Sequence, residues 1–151
     1  MVAEFFTRDG WIAQHARPAT IDDLVAEVRA TAPAVLGLSI GRSSDLPLLR
    51  QTIAAIRRAM RRGAPAMLIG GAALTVDPEL IGRSGANGHA LDAASALRVA
   101  SGLVDERANA FPDARSGQPP RKDRFVGLPI PRRRVSGLES ASHRTTGRGR
   151  G

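Results

Sequence analysis

Along the first hundred residues the apolar positions follow two alternating patterns. Leu46, Leu49, Ile53, Ile56 and Met60 recur at steps of three and four, as do Ile21, Leu24, Val25 and Val28, and each set marks one face of a helix. Thr20, with Asp23 three residues later, reads as the N-cap of the first: hydroxyl and carboxylate each accept a backbone N–H that the opening turn leaves unpaired. The second opens near Ser44 or Asp45, carries Pro47 in its first turn where no N–H is needed, and stops at Gly63. Arg57, Arg58, Arg61 and Arg62 lie toward its C-terminal end, where the helix dipole is negative.

The other pattern is continuous. Ala34-Val35-Leu36-Gly37-Leu38-Ser39-Ile40 and Ala66-Met67-Leu68-Ile69-Gly70-Gly71 are short apolar runs ending in serine or glycine, which suits strands buried on both faces of a parallel sheet. Trp11-Ile12-Ala13-Gln14 reads as an earlier strand after a helix over Val2–Thr7, and residues 92–104 form a last helix whose apolar face runs through Leu91, Ala94, Leu97, Val99 and Leu103. The order α-β-α-β-α-β-α predicts an α/β domain, Rossmann-like or flavodoxin-like, with helices on both faces of a parallel sheet.

From about Phe111 the periodicity is lost among Pro, Gly, Ser and Arg. The chain therefore divides into an α/β domain over 1–106 and a disordered basic tail over 107–151. Charge divides near the same point: residues 1–111 carry 12 Arg against 11 Asp and Glu, whereas residues 112–151 carry 10 Arg and Lys against 3 acids, so +7 of the net +8 lies in residues 112–151. Arg132-Arg133-Arg134 could meet nucleic-acid phosphates without reading sequence, but Phe125 alone offers little for bases to stack on, and nucleic-acid binding is the weaker reading of the tail.

With no cysteine there is neither a disulfide framework nor a thiolate metal site, and His15, His89 and His143 are too scattered for a zinc pattern. We read His15 and His89 as ordinary strand-end and turn residues and assign no metal ligand. No apolar run is long enough to cross a membrane and the N-terminus lacks a basic-then-apolar leader, so a cytoplasmic location is expected. No acid–base pair, Ser/His/Asp set or phosphate loop is visible, and catalysis by this chain alone is not expected.

Ser39-Ile40-Gly41, followed after a helix and a strand by Gly70-Gly71, resembles two of the three ordered signatures of the cobalamin (vitamin B12)-binding domain family. Those signatures are Asp-x-His-x-x-Gly, Ser-x-Leu and Gly-Gly; here Gly41 replaces the leucine. The opening through Trp11 is similar to the family's first helix and its turn into the second strand, so the likeness spans roughly residues 1–104. Counting back from Ser39 places the family's first strand and its histidine loop just before Met1. That strand would lie between the second and third, and a sheet lacking it should be unstable or recruit a strand from elsewhere.

The resemblance implies that cobalamin is the cofactor, with its nucleotide tail in a slot at the carboxyl ends of the strands. Ser39 and Ser43 would hydrogen-bond the tail, Gly70 and Gly71 would line its slot, and Leu91 would pack on it. The same residues have plainer uses, since serine and glycine commonly end strands; it is their joint spacing that carries the likeness. The implied function is a cobalamin-binding module, a carrier or a sensory, regulatory domain whose partner is a protein or domain that uses or senses the corrinoid. The alternative is a truncated flavodoxin-like protein without a cofactor, acting through protein contacts only.

Overall fold

A helix whose apolar residues share one stripe must bury it against something, and here the partner is a sheet apolar on both faces. The computed structural model describes residues 2–110 and 124–130. These form α1 (Val2–Arg8), β1 (Ile12–His15), α2 (Ile21–Thr31), β2 (Val35–Ser39), α3 (Leu46–Met60), β3 (Ala66–Gly70), α4 (Ala72–Val76), α5 (Leu80–Ser84), β4 (Gly88–His89), α6 (Ala93–Ala110) and β5 (Arg124–Pro129). The strands make one parallel sheet in the order β1-β5-β2-β3-β4. One face packs on α2, α3, α4 and α5 through Leu24, Val28, Leu49, Ile53, Leu74 and Leu80, and the other on α1 and α6 through Phe6, Ala96 and Ala100.

The expected α/β fold is observed, and local chemistry sets its legible parts. Thr20 caps α2 as its spacing requires: Asp23 N donates to Thr20 Oγ1 at 3.1 Å and Thr20 N donates to Asp23 Oδ2 at 3.0 Å. The start of α3 differs, because a 3-10 turn over Ser43–Asp45 leads directly into it and no side chain caps it. Pro47 does sit in the first turn, and the helix passes through a second 3-10 turn, Arg61–Gly63, before Ala64 becomes extended. The short α4, α5 and β4 lie between expected elements and were not anticipated from the apolar pattern.

The principal correction concerns the tail. Disorder was expected from residue 107, but α6 continues to Ala110, and Arg124–Pro129 is a strand inserted between β1 and β2. The place expected to lack a strand is filled from the chain's own C-terminal part. The remaining tail, residues 111–123 and 131–151, lies outside the described residues. The physical reason is burial on both faces: Phe125 enters the α1/α6 core, while Val126, Leu128 and Ile130 enter the other. Burying each of these contributes about 1.5–3 kcal/mol before chain-ordering costs.

β5 is paired along its length, Ile12 to His15 matching Arg124 to Gly127 on one side and Val35 to Ser39 matching Phe125 to Pro129 on the other. Pro129 lies past the last β1 pair, so its missing N–H costs no bond on that side, and Ile130 N donates to Ser39 O at 3.3 Å on the other. At the opposite end Arg124 donates through Nη1 to Thr31 O, 3.0 Å away at the last turn of α2, where a cation complements the helix dipole.

Candidate functional site

In a wound parallel sheet a crevice opens at the carboxyl ends of the strands where successive connections depart to opposite sides. Here the carboxyl ends of β1, β5, β2 and β3 open onto a space beside the starts of α1 and α6. A cleft of about 640 Å³ occupies it, bounded by the strand ends, by Val2 and Ala3 of α1, and by Ala93 and Ala96 of α6. Its volume lies within the range of small-molecule and cofactor sites.

Small residues line much of this cleft. Gly37 of β2 and Gly127 of β5 are register partners facing α1 and α6, and Gly70, Ala90, Ala93 and Ala96 extend the same narrow wall. The Phe125 ring lies over the two strand glycines, stacked on Phe6 with centroids 3.9 Å apart and planes 16° from parallel. Phe6 in turn meets Trp11 edge-on at 5.2 Å. These three rings form a buried stack beneath the cleft, of which only Phe125 reaches the lining.

The loop after β3 depends on Gly71. Its φ of +112° is in the region that glycine alone adopts readily, and a Cβ there would fall on the Ile40 carbonyl oxygen. This close approach lets Ile40 N donate to Gly70 O at 2.9 Å and Ala73 N to Ile40 O at 3.3 Å, knitting the β2 and β3 exits together. Ser39, in register with Gly70, is exposed on the cleft wall, and its Oγ has no hydrogen-bond partner among the described residues.

Of the residues singled out from the sequence, Ser39, Gly70, Gly71 and Leu91 come together on this lining, Leu91 as a 61% exposed apolar residue at the rim. Ser43 does not join them; it begins the exposed 3-10 turn beyond β2 and is not on the lining. Sequence reasoning missed Gln14, His15, Arg17, Asp92, Phe125 and Gly127, all of which line the cleft. His15 stands in register with Gly127, and its Nδ1 lies 2.7 Å from the Gly127 carbonyl oxygen. Nδ1–H donating there leaves Nε2 as the acceptor nitrogen of the neutral ring. His89, on β4, is exposed and is not on the lining.

Asp92 closes the start of α6 at the rim. Ser95 N donates to Asp92 Oδ1 at 2.7 Å, and this bond, with help from the Ser95 hydroxyl, holds the Asp92 carboxyl below its ordinary value. Among the described residues no three His, Cys, Asp or Glu side chains gather where they could hold a metal ion, and no helix is long and apolar enough to cross a membrane.

No family model matches the chain, and no curated protein matches it. A solved structure described as a novel cobalamin-binding protein from Desulfitobacterium hafniense DCB-2 is similar over 55% of this chain and 39% of its own, with 24% identity and a TM-score of 0.48. The chain thus spans well under half of that protein's length.

Proposed function

We propose that this chain is a cobalamin-binding module, a carrier or a sensory, regulatory domain that holds the nucleotide tail of the corrinoid. The observation that carries the reading is the cleft itself, at the strand ends, where Gly70 and Gly71 line one side and the exposed Ser39 stands beside them. The benzimidazole base of the nucleotide is flat, apolar over its rings and supplies an acceptor nitrogen, and these properties suit an apolar cleft with one hydroxyl donor at its side.

Ser39 would hydrogen-bond the tail, Gly70 and Gly71 would let it approach the backbone, and exposed Leu91 would pack on it from the rim. Ser43 would reach the ligand only from outside the slot. The bound corrinoid would supply its own organocobalt chemistry, while the protein holds and orients it for a partner protein or domain that uses or senses it. We assign the cobalt no protein ligand.

The test is gel filtration of the full chain with hydroxocobalamin and, in parallel, with cobinamide, which lacks the nucleotide. Retention of corrin absorbance with hydroxocobalamin but not with cobinamide is the expected result. If neither is retained, the reading fails and a cofactor-free protein acting through protein contacts takes its place.

A further inference from the structure

The sheet is assembled in an unusual chain order. From β1 to α6 every described element follows its predecessor through a short connection, whereas β5 enters the middle of the sheet after residues 111–123, a stretch rich in proline and charge. Its partners are remote: His15 and Gly127 are 112 residues apart, and Thr31 and Arg124 are 93 apart. Such pairing closes the longest loops among the described strand pairs, which favours late docking of β5.

The slot that receives β5 also has a readable specificity. On the α1/α6 face it takes one aromatic ring, Phe125, which fits because Gly37 has no side chain and Phe6 lies parallel above it. Two residues on it requires a small residue, Gly127, because a Cβ there would stand 3.0 Å from the Phe125 ring. On the other face it takes aliphatic groups, Val126, Leu128 and Ile130. Backbone bonds run to both walls, with Ala16 N donating to Gly127 O at 3.2 Å and Ala34 N to Arg124 O at 2.9 Å.

We infer that the space between β1 and β2 is a strand-acceptor site, recognising an extended segment of pattern aromatic–aliphatic–glycine–aliphatic–x–aliphatic, which β5 of this chain occupies reversibly while β2, β3 and β4 stay paired. The mode is strand addition, with affinity from main-chain bonds and selectivity from alternate side chains. Since Phe125, Gly127, Leu128 and Pro129 all line the cleft, release of β5 removes one of its walls. Occupancy of the acceptor site therefore controls whether the cleft exists, whatever the cleft binds.

The experiment uses the full chain without added cofactor, so its outcome is independent of the cobalamin reading. Native-state hydrogen exchange is followed for segments covering β1, β5, β2 and β3, alone and with an excess of a fluorescent peptide of residues 124–130. The expected result is exchange of β5 and β1 ahead of β2 and β3, retention of the peptide with further loss of β5 protection, and loss of retention when the peptide carries Phe125→Asp. Exchange of all four strands in one step, with no peptide retained, would overturn the inference.

Discussion

The ring of Phe125 lies over Gly37 of the adjacent strand, so that a Cβ on Gly37 would stand 2.6 Å from ring atom Cζ and 2.8 Å from Cε2. Both walls at this contact are fixed, the ring by Phe6 stacked on it and the glycine by two flanking strands. Gly37→Ala must therefore displace the ring or the strand, costing about 1–3 kcal/mol. Urea unfolding followed through Trp11, the single tryptophan, measures this; a neutral effect would mean that the ring does not rest there. Adding Phe125→Leu to Gly37→Ala should recover part of the loss.

Phe125→Ala tests the strand as a whole. Removing a buried phenylalanine from this core should cost about 3–5 kcal/mol. Because Trp11 packs on Phe6 and Phe6 on Phe125, its emission should also shift to the red. A variant as stable as the parent would show that residues 124–130 are not the central strand.

At the β3 exit, Gly71→Ala combines a left-handed backbone with a Cβ placed on the Ile40 carbonyl. Strain of this kind costs about 1–3 kcal/mol, and here it must pull the β2 and β3 loops apart. The expected outcome is lower stability with weakened hydroxocobalamin retention. Ser39→Ala, at an exposed hydroxyl, should weaken retention without changing the unfolding midpoint.

How far these features could be read from sequence depends on how local their causes are. The Thr20 and Asp23 cap involves neighbours and was legible, as were β2 and β3, whose apolar runs need no partner to be recognised. β5 was not, since Phe125-Val126-Gly127-Leu128-Pro129 contains the two residues that most weaken a strand and stands among arginines and prolines. Only the register excuses Pro129, which lies past the end of β1, and register with a strand over a hundred residues away leaves no local mark. Ser39, Gly70 and Gly71 could be placed on the cleft because they sit at legible strand ends, and Leu91 only by counting along the family resemblance. His15, Phe125 and Gly127 could not, because their position depends on which strand separates β1 from β2. The signal available was the alternation of Phe125 with Val126, Leu128 and Ile130 in an otherwise polar tail.

The α2 cap yields a stability prediction with no bearing on the cleft. Thr20→Ala removes the acceptor for Asp23 N and should cost about 0.5–2 kcal/mol. Thr20→Ser should restore most of it, which thermal unfolding of the two variants would measure.

Asp92 gives a pH dependence of known sign. Its carboxyl is lowered from 3.8 chiefly by the Ser95 backbone N–H and then by the Ser95 hydroxyl, so the folded state binds this proton less readily than the unfolded chain. Its stabilising contribution is present above the ordinary carboxylate range and is lost as pH falls through the lowered folded value. Asp92→Asn should flatten the acid side of the stability profile at and below the ordinary carboxylate range, and an unchanged slope would remove Asp92 as a contributor.

On the ribosome, the chain order of the sheet becomes a schedule. At about 5–20 residues per second, the interval between synthesis of Ser39 and of its neighbour Pro129 is roughly 5–20 s. Throughout it the nascent domain carries two open strand edges facing one another across an empty lane, a geometry that invites pairing with other growing chains. Cells making this protein at high rate would meet that hazard during translation, and slower elongation through residues 40–123 would prolong it.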